Sequence, residues 1–164
     1  MYYRKRSFDL KERLYADPNA MAVIRGASEF PEIGGAVKFY QTIYGVLVAA
    51  EVFGLPVSDG KCKNDIFAFH IHSGWECSGN EEDEFADAGT HYNPDSCPHP
   101  YHAGDMPPLF SAGKRAFLAF LTDRFTVDEI VGKTVMIHEK YDDFTTQPAG
   151  NAGKKIACGE IVYF

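Results

Sequence analysis

The sequence predicts an all-β fold, a sandwich or barrel built from hairpins, and three observations lead to this class. The 164-residue chain contains 15 glycines and 9 prolines, which favours many turns over a helical bundle. Residues 36–42 alternate between their two faces, as a half-buried strand does. Apolar segments of strand length recur between turns, and the chain is long enough for one domain with a sizeable core.

Taken in order, the elements begin with an N-terminal arm, residues 1–19, in which Ser7 to Leu14 is predicted to form a short helix. A domain over residues 20–164 follows. Its predicted strands are 21–26, 36–42, 44–53, 66–72, 115–121, 133–139 and 156–163, with a turn of helix within 125–130.

Two long polar segments interrupt these strands, at residues 73–114 and 141–154. A loop as long as the first is unusual in a compact domain unless something other than an apolar face orders it. A bound metal ion is the natural candidate, because metal binding supplies folding free energy directly.

Composition excludes several classes of function. The net charge of −7 argues against a nucleic-acid-binding protein. No segment approaches the roughly 18 apolar residues of a membrane span. Residues 1–7 are basic but no apolar region follows them, so no secretory signal is visible. We therefore expect a cytoplasmic protein, or a secreted or periplasmic one if a leader precedes this sequence. None of the four cysteines forms a CxxC pair.

Two histidines stand one residue apart in the apolar segment 67–72. On a β-strand His70 and His72 would point to the same face. Neutral imidazole suits copper, zinc, iron and nickel, so the pair would form half of a transition-metal site. The alternative is a surface strand with two polar positions facing water.

The first long loop carries a second group of candidate ligands. His91, His99 and His102 are followed by Asp105, an N,N,N,O set that can close tetrahedrally around zinc. The alternative is a solvated polar segment. All six histidines of the chain lie at or beyond position 70, which favours ligand roles over scattered surface positions.

Five sequence motifs occur with the same residues and in the same order as in one known family. They are Phe69-His-Ile-His72, Ala88-Gly-Thr-His-Tyr-Asn-Pro94, His102-Ala-Gly-Asp-Met-Pro107, Val135-Met-Ile-His-Glu-Lys-Tyr-Asp-Asp143 and Gly150-Asn-Ala-Gly-Lys-Lys-Ile-Ala-Cys-Gly159. From about residue 20 onward the chain resembles the bacterial copper,zinc superoxide dismutases. The resemblance implies an eight-stranded Greek-key β-barrel, an immunoglobulin-like sandwich with two long loops that form a metal site. It also implies disproportionation of superoxide to dioxygen and hydrogen peroxide.

The resemblance also implies individual roles. Copper would be held by His70, His72, His91 and His138, and zinc by His91, His99, His102 and Asp105, with His91 as a catalytic bridging imidazolate. Asp142 would accept hydrogen bonds from His70 and His99. Cys77 and Cys158 would form a disulfide. Cys62 and Cys97 lie outside the family pattern and are either a second disulfide or free thiols.

The resemblance has two departures. Only Pro100 and Tyr101 separate His99 from His102, where the family usually has several more residues. Lys155 stands where the family has its active-site arginine, so the charge is kept and the planar fork is lost. Lys154 stands beside it, and its charge adds to the local positive field that must attract superoxide to an acidic protein. The acidic run 81–84 is predicted to be a solvated turn. A copper- or zinc-buffering homologue with weak or no dismutase activity is the alternative function, and a homodimer is a possible assembly.

Overall fold

Nine strands form the framework in the computed structural model, which describes residues 10–62 and 65–164. They are β1 Ala20–Gly26, β2 Gly34–Thr42, β3 Gly45–Phe53, β4 Ile66–Phe67, β5 Phe69–His72, β6 Leu109–Ala112, β7 Arg115–Thr122, β8 Thr134–His138 and β9 Lys155–Tyr163. The helices are α1 Leu10–Tyr15 and α2 Val127–Ile130, with a 3-10 turn at Ala86–Ala88. The all-β prediction is confirmed.

The strands make one antiparallel sheet in the order β4-β6-β7-β3-β2-β1-β9-β8-β5. Strands β4 and β5 lie at opposite ends of this order, yet only Ala68 separates them in the chain. The chain therefore closes the sheet into a barrel at this residue, which leaves few exposed edges. The pairings β3 with β7 and β1 with β9 join strands that are distant in sequence, as in a Greek key.

Two expectations about the strands need correction. The predicted strand 66–72 changes partners at Ala68, so β4 pairs with β6 while β5 pairs with β8. The predicted loop 73–114 is not structureless throughout, because Leu109–Ala112 forms β6. Only Leu109 of these four residues is fully buried, so the segment carries a weak apolar pattern and escapes detection by periodicity. The observed count is nine strands, against the eight expected.

Alternating side chains place the core on one side of β5 and the candidate ligands on the other. Phe69 and Ile71 join the main apolar cluster, together with Val48 and Ile137. All four residues of β5 are buried, including both histidines. A buried pair of imidazoles must satisfy its polar atoms inside the protein, which rules out the alternative of a water-facing strand.

The N-terminal helix α1 lies inside the predicted arm, while the proposed cap Ser7 lies outside the described residues. Leu14 packs against a small apolar cluster of Tyr40 and Leu47 on the outer face of the barrel. The boundary between residues 19 and 20 stays a prediction. The short helix α2 falls within the predicted 125–130 turn. No helix among the described residues combines the length and apolar character that crossing a membrane requires.

Candidate metal centre

The loop that follows β5 is held against that strand by backbone hydrogen bonds. The amide of Tyr92 donates to the carbonyl of Ile71 at 2.8 Å, and the amide of Ile71 donates to the carbonyl of Gly104 at 2.9 Å. The amide of Ser73 donates to the carbonyl of Thr90 at 2.8 Å. A side chain at position 104 would collide with the backbone of Ile71, so glycine permits this close approach. Backbone pairing thus orders the loop around the ligand residues.

A disulfide links the same loop to the last strand. Cys77 and Cys158 are bonded, with their Cα atoms 5.7 Å apart and 81 residues of separation along the chain. Cys62 and Cys97 are both free, so the second disulfide left open by the sequence does not form. Cys62 is exposed, whereas Cys97 is partly buried in the wall of the cavity that contains His72, His91 and His138.

The first candidate cluster consists of four buried histidines whose ligand atoms lie within 4.8 Å of one another: His70, His72, His91 and His138. Each offers one buried ring nitrogen that has no hydrogen-bond partner, namely Nδ1 of His70 and Nε2 of the other three. Buried polar atoms are almost always paired. Four unpaired nitrogens that converge on one point fit a metal ion as their common partner.

The opposite nitrogens of these rings are occupied by the protein. His72 Nδ1 donates to the carbonyl of Gly89 at 2.9 Å, and His138 Nδ1 donates to the carbonyl of Gly153 at 3.3 Å. His70 Nε2 donates to Asp142 Oδ2 at 2.9 Å. These bonds fix the tautomer of each ring, so the lone pair of the other nitrogen faces the centre of the cluster.

The second candidate cluster contains His91, His99, His102 and Asp105. Asp105 Oδ1 lies 2.7 Å from His91 Nδ1 and 3.4 Å from His102 Nδ1. Asp105 Oδ2 lies 3.0 Å from His99 Nδ1, although that nitrogen makes no aligned hydrogen bond. The two ligand atoms His102 Nδ1 and His91 Nδ1 are 3.3 Å apart. Ligands of one tetrahedral zinc ion stand about 3.3 Å from each other, so the donor set fits zinc.

His91 belongs to both clusters. Its Nδ1 faces Asp105, and its Nε2 is the unpaired nitrogen that faces the first cluster. An isolated antiparallel β-bridge between the backbones of His72 and His91 holds the loop against the strand at this point. Only an imidazole without its ring proton can offer both lone pairs to two metal ions. The arrangement therefore suits a pair of sites joined by one ring.

Asp142 joins the clusters a second time. Its Oδ2 accepts from His70 Nε2 and its Oδ1 accepts from His99 Nε2, both at 2.9 Å. The amide of Phe144 also donates to Oδ1, at 2.7 Å. Gly150 has φ of +65°, and a side chain there would collide with the Asp142 carboxylate and the His99 ring. Glycine at position 150 thus makes room for the carboxylate that orients one histidine from each cluster.

Burial keeps four of the candidate ligand imidazoles neutral. Desolvation lowers the pKa of His70 and of His102, lowers that of His72 well below its ordinary value, and lowers the pKa of His138 to about 3. Burial alone would raise the pKa of Asp142, but hydrogen bonds from His70, Phe144 and His99 bring it to about 2. Neutral imidazoles and an ionised carboxylate at pH 7 are the protonation states that metal binding requires.

Lys154 and Lys155, the two lysines of the motif from Gly150 to Gly159, have different environments. Lys155 begins β9, lines the cavity beside the first cluster, and donates from Nζ to Asp83 Oδ2 and to the carbonyl of Phe85, both at 2.8 Å. Lys154 is exposed, with Glu29 at 3.6 Å. The acidic run is therefore more than the solvated turn expected, because Asp83 contacts Lys155 and Glu84 accepts from Ser28.

Two of the residues that sequence reasoning missed support the site through charged side chains. One is Asp83. The other is Arg124, which follows β7 and donates from Nη1 to the carbonyls of Pro100, His102 and Asp105 at 3.2, 3.2 and 3.1 Å. The short segment between His99 and His102 is therefore braced from outside the loop. No sequence signal joins position 124 to a loop about twenty residues earlier, because the contact exists only in the folded barrel.

Fold and site together define a class: a Greek-key β-barrel metalloprotein with paired donor sets suited to copper and to zinc. Comparison with known proteins makes the class specific. Residues 33–161 match the family model described as copper/zinc superoxide dismutase. The chain belongs to the copper/zinc superoxide dismutase family.

Individual relatives agree with this assignment. The chain is 34% identical over 145 residues to superoxide dismutase [Cu-Zn] 2 of Aquifex aeolicus, covering 79% of this chain and 80% of that protein. It is 32% identical over 141 residues to superoxide dismutase [Cu-Zn] of Photobacterium leiognathi, covering 77% and 78% of the two chains. The solved structure of Cu/Zn superoxide dismutase from Brucella abortus superposes with a TM-score of 0.71. It covers 86% of this chain and 98% of its own at 22% identity, which supports the fold.

Proposed function

We propose that this protein disproportionates superoxide to dioxygen and hydrogen peroxide. In this proposal the copper ligands are His70, His72, His91 and His138, and the zinc ligands are His91, His99, His102 and Asp105. The observation that carries the proposal is the placement of His91, with Nδ1 facing one donor set and Nε2 facing the other. An imidazolate bridge needs this placement.

Copper, when bound, supplies one-electron exchange with two superoxide ions in turn. The chain's own residues would hold copper, orient the ligand rings and attract the superoxide anion. The carbonyls of Gly89 and Gly153 fix the rings of His72 and His138, and Asp142 fixes that of His70. Lys155 places a positive charge at the cavity wall, where an anion must approach. His91 Nε2 carries no proton while the ring bridges two metal ions, and it would be the atom that holds a proton for the product when it is not bound to copper.

The proposal also includes the cellular compartment of the protein and its assembly. The bond between Cys77 and Cys158 fits an oxidising compartment. We place the protein in the periplasm or outside the cell, in preference to the cytoplasm expected from its N-terminal residues. Fractionation of the native host, followed by immunodetection, tests this placement. The substrate is superoxide, and the homodimer stays a prediction that sedimentation equilibrium of the loaded protein tests.

The decisive experiment measures superoxide decay on protein loaded with one equivalent each of copper and zinc. A chelator must be present, because free copper ions also consume superoxide. We expect decay far faster than in chelated buffer. A His72→Gln variant should lose tightly bound copper and this activity while it keeps zinc, since His72 belongs only to the first cluster. Protein that holds both metals but adds nothing to the decay rate in chelated buffer would instead be a metal-buffering homologue.

A further inference from the structure

The ammonium group of Lys155 is held by a carboxylate. Its side chain is only 15% exposed, and Nζ donates at 2.8 Å both to Asp83 Oδ2 and to the carbonyl of Phe85. The adjacent Lys154 has a side chain that is 70% exposed and a looser partner, Glu29, at 3.6 Å. Lys155 is therefore fixed at one place on the cavity wall, whereas Lys154 is a surface charge.

Lys155 stands between two cavities of opposite character. One, of about 530 Å³, is lined by His72, His91 and His138. The other, of about 350 Å³, is lined by residues 81–84, which are all acidic, and also by His138. Among the residues that the structure describes, Lys155 is the only lysine or arginine lining the first cavity. The charge that an anion meets there depends on how far Asp83 screens this one ammonium group.

The energetic argument follows from charge. Superoxide is a monoanion, and the protein as a whole carries a net charge of −7. Attraction to the first cavity must come from a local positive field. A carboxylate oxygen 2.8 Å from the ammonium nitrogen converts a unit positive charge into a dipole, whose field falls off faster with distance. Burial raises the pKa of Asp83, but the hydrogen bonds from Lys155 and from the amide of Phe85, together with the positive charge of Lys155, lower it overall, so Asp83 is ionised at neutral pH.

We propose that Asp83 is a positioning residue that limits superoxide capture, because it holds Lys155 Nζ at the cavity wall and screens its charge. This inference rests on the proposed function. Fixing the group gives the anion a defined docking point. Screening lowers the rate at which the anion is drawn in. Asp83 thus affects two quantities at once: how precisely the anion is positioned and how strongly it is attracted.

The loop carrying Asp83 is anchored independently of the ion pair, so the pair can be altered without unfolding it. Ser28 donates from its amide and its hydroxyl to the Glu84 carboxylate, at distances of 2.8 to 3.1 Å. The disulfide at Cys77 holds the start of the loop. Asp83 Oδ1 accepts from the amide of Phe85 at 3.1 Å, a bond that asparagine oxygen also makes. Asp83→Asn is therefore a conservative probe.

The test compares Asp83→Asn with Glu82→Gln, Lys155→Met and the Asp83→Asn/Lys155→Met double variant, all loaded with copper and zinc. Glu82 lines the same acidic cavity, and its variant removes the same single negative charge from that region. The first readout is the affinity of azide, a monoanion, measured by optical titration. The second is the rate constant for superoxide decay as a function of ionic strength.

We expect Asp83→Asn to raise azide affinity and the superoxide rate constant about fivefold at low ionic strength, and the gain to shrink as salt is added. Glu82→Gln should change either quantity less than twofold. In the Lys155→Met background, the effect of Asp83→Asn should fall to that of Glu82→Gln. Equal effects of the two single variants, or a full effect without Lys155, would overturn the inference. A wild-type protein that binds azide but leaves superoxide untouched would instead overturn the proposed function.

Discussion

Arg124 braces the segment that supplies three of the proposed zinc ligands, and its replacement should weaken zinc binding. One guanidinium nitrogen donates to the carbonyls of Pro100, His102 and Asp105 at 3.2, 3.2 and 3.1 Å. In Arg124→Met the side chain keeps its apolar stem but loses all three bonds. His102 and Asp105 then lose the contact that fixes their backbone.

The magnitude follows from the shared donor. A hydrogen bond from a charged donor contributes about 1.5–3 kcal/mol. The three acceptors share a single nitrogen that carries two hydrogens, so their contributions do not add, and we take the range for one bond. Zinc affinity should therefore fall about 10- to 100-fold, since about 1.4 kcal/mol corresponds to tenfold. This range agrees with the usual effect of removing a group that supports a metal ligand.

The assay is zinc titration of metal-free protein against a competing chromogenic chelator. Arg115→Met is the matched control, because it removes the same charge from an exposed side chain, which lies 3.8 Å from the exposed carboxylate of Glu51. Copper affinity of both variants is measured in parallel. If Arg124→Met binds zinc within about twofold of Arg115→Met while its circular dichroism is unchanged, the bracing role is refuted.

Four further predictions concern other parts of the centre. Removing the disulfide with Cys77→Ala and Cys158→Ala should lower the free energy of unfolding by about 4.5 kcal/mol in the chain-entropy model for a separation of 81 residues, measured by urea unfolding at equal metal content. Asp142→Asn should weaken metal binding about 10- to 100-fold, measured by chelator competition; unchanged affinity would contradict its orienting role. The metal-free protein should lose stability between pH 7 and pH 5, by about 2 kcal/mol from His138 alone, because the unfolded state protonates His138 near its ordinary pKa of 6.5 whereas the folded state does so only at about 3. The lowered pKa values of His70, His72 and His102 act in the same direction, and a flat pH profile of urea unfolding would count against this prediction. Lys155→Arg should raise the superoxide rate constant several-fold in a manner that weakens with salt, because a guanidinium group can contact Asp83 and the anion together.

Strand pattern and ligand spacing made most of the barrel predictable. Side chains alternate along β2, and His70 and His72 face one way on β5 for the same reason. Strand β6 was missed because only one of its four residues is fully buried, so no periodic apolar face marks it. The closing of the sheet at Ala68 was also beyond reach, since it depends on two partners, β6 and β8, that lie far apart in the chain.

Site residues could be predicted where the residue type itself indicates the chemistry. They could not be predicted where the role depends on contacts that form only in the folded protein. The type and spacing of the histidines and of Asp105 mark them as candidate ligands, and the fold brings them together in two groups. Asp83 and Arg124 belong to residue types that are usually solvated, and their roles arise only when the fold brings them to Lys155 and to the loop carbonyls. A single sequence without its fold offers no measure of such approaches.

Asp142 also has a thermodynamic consequence. One carboxylate accepts from His70 with one oxygen and from His99 with the other, so fixing it for either cluster prepares a ligand of the other. We therefore expect cooperative occupancy of the two proposed sites, and reciprocity then requires each ion to raise the affinity for its neighbour by the same factor. Couplings of this kind typically amount to 5- to 150-fold. Partly loaded protein should consequently be scarce, and the chain should pass from empty to doubly loaded with little population between.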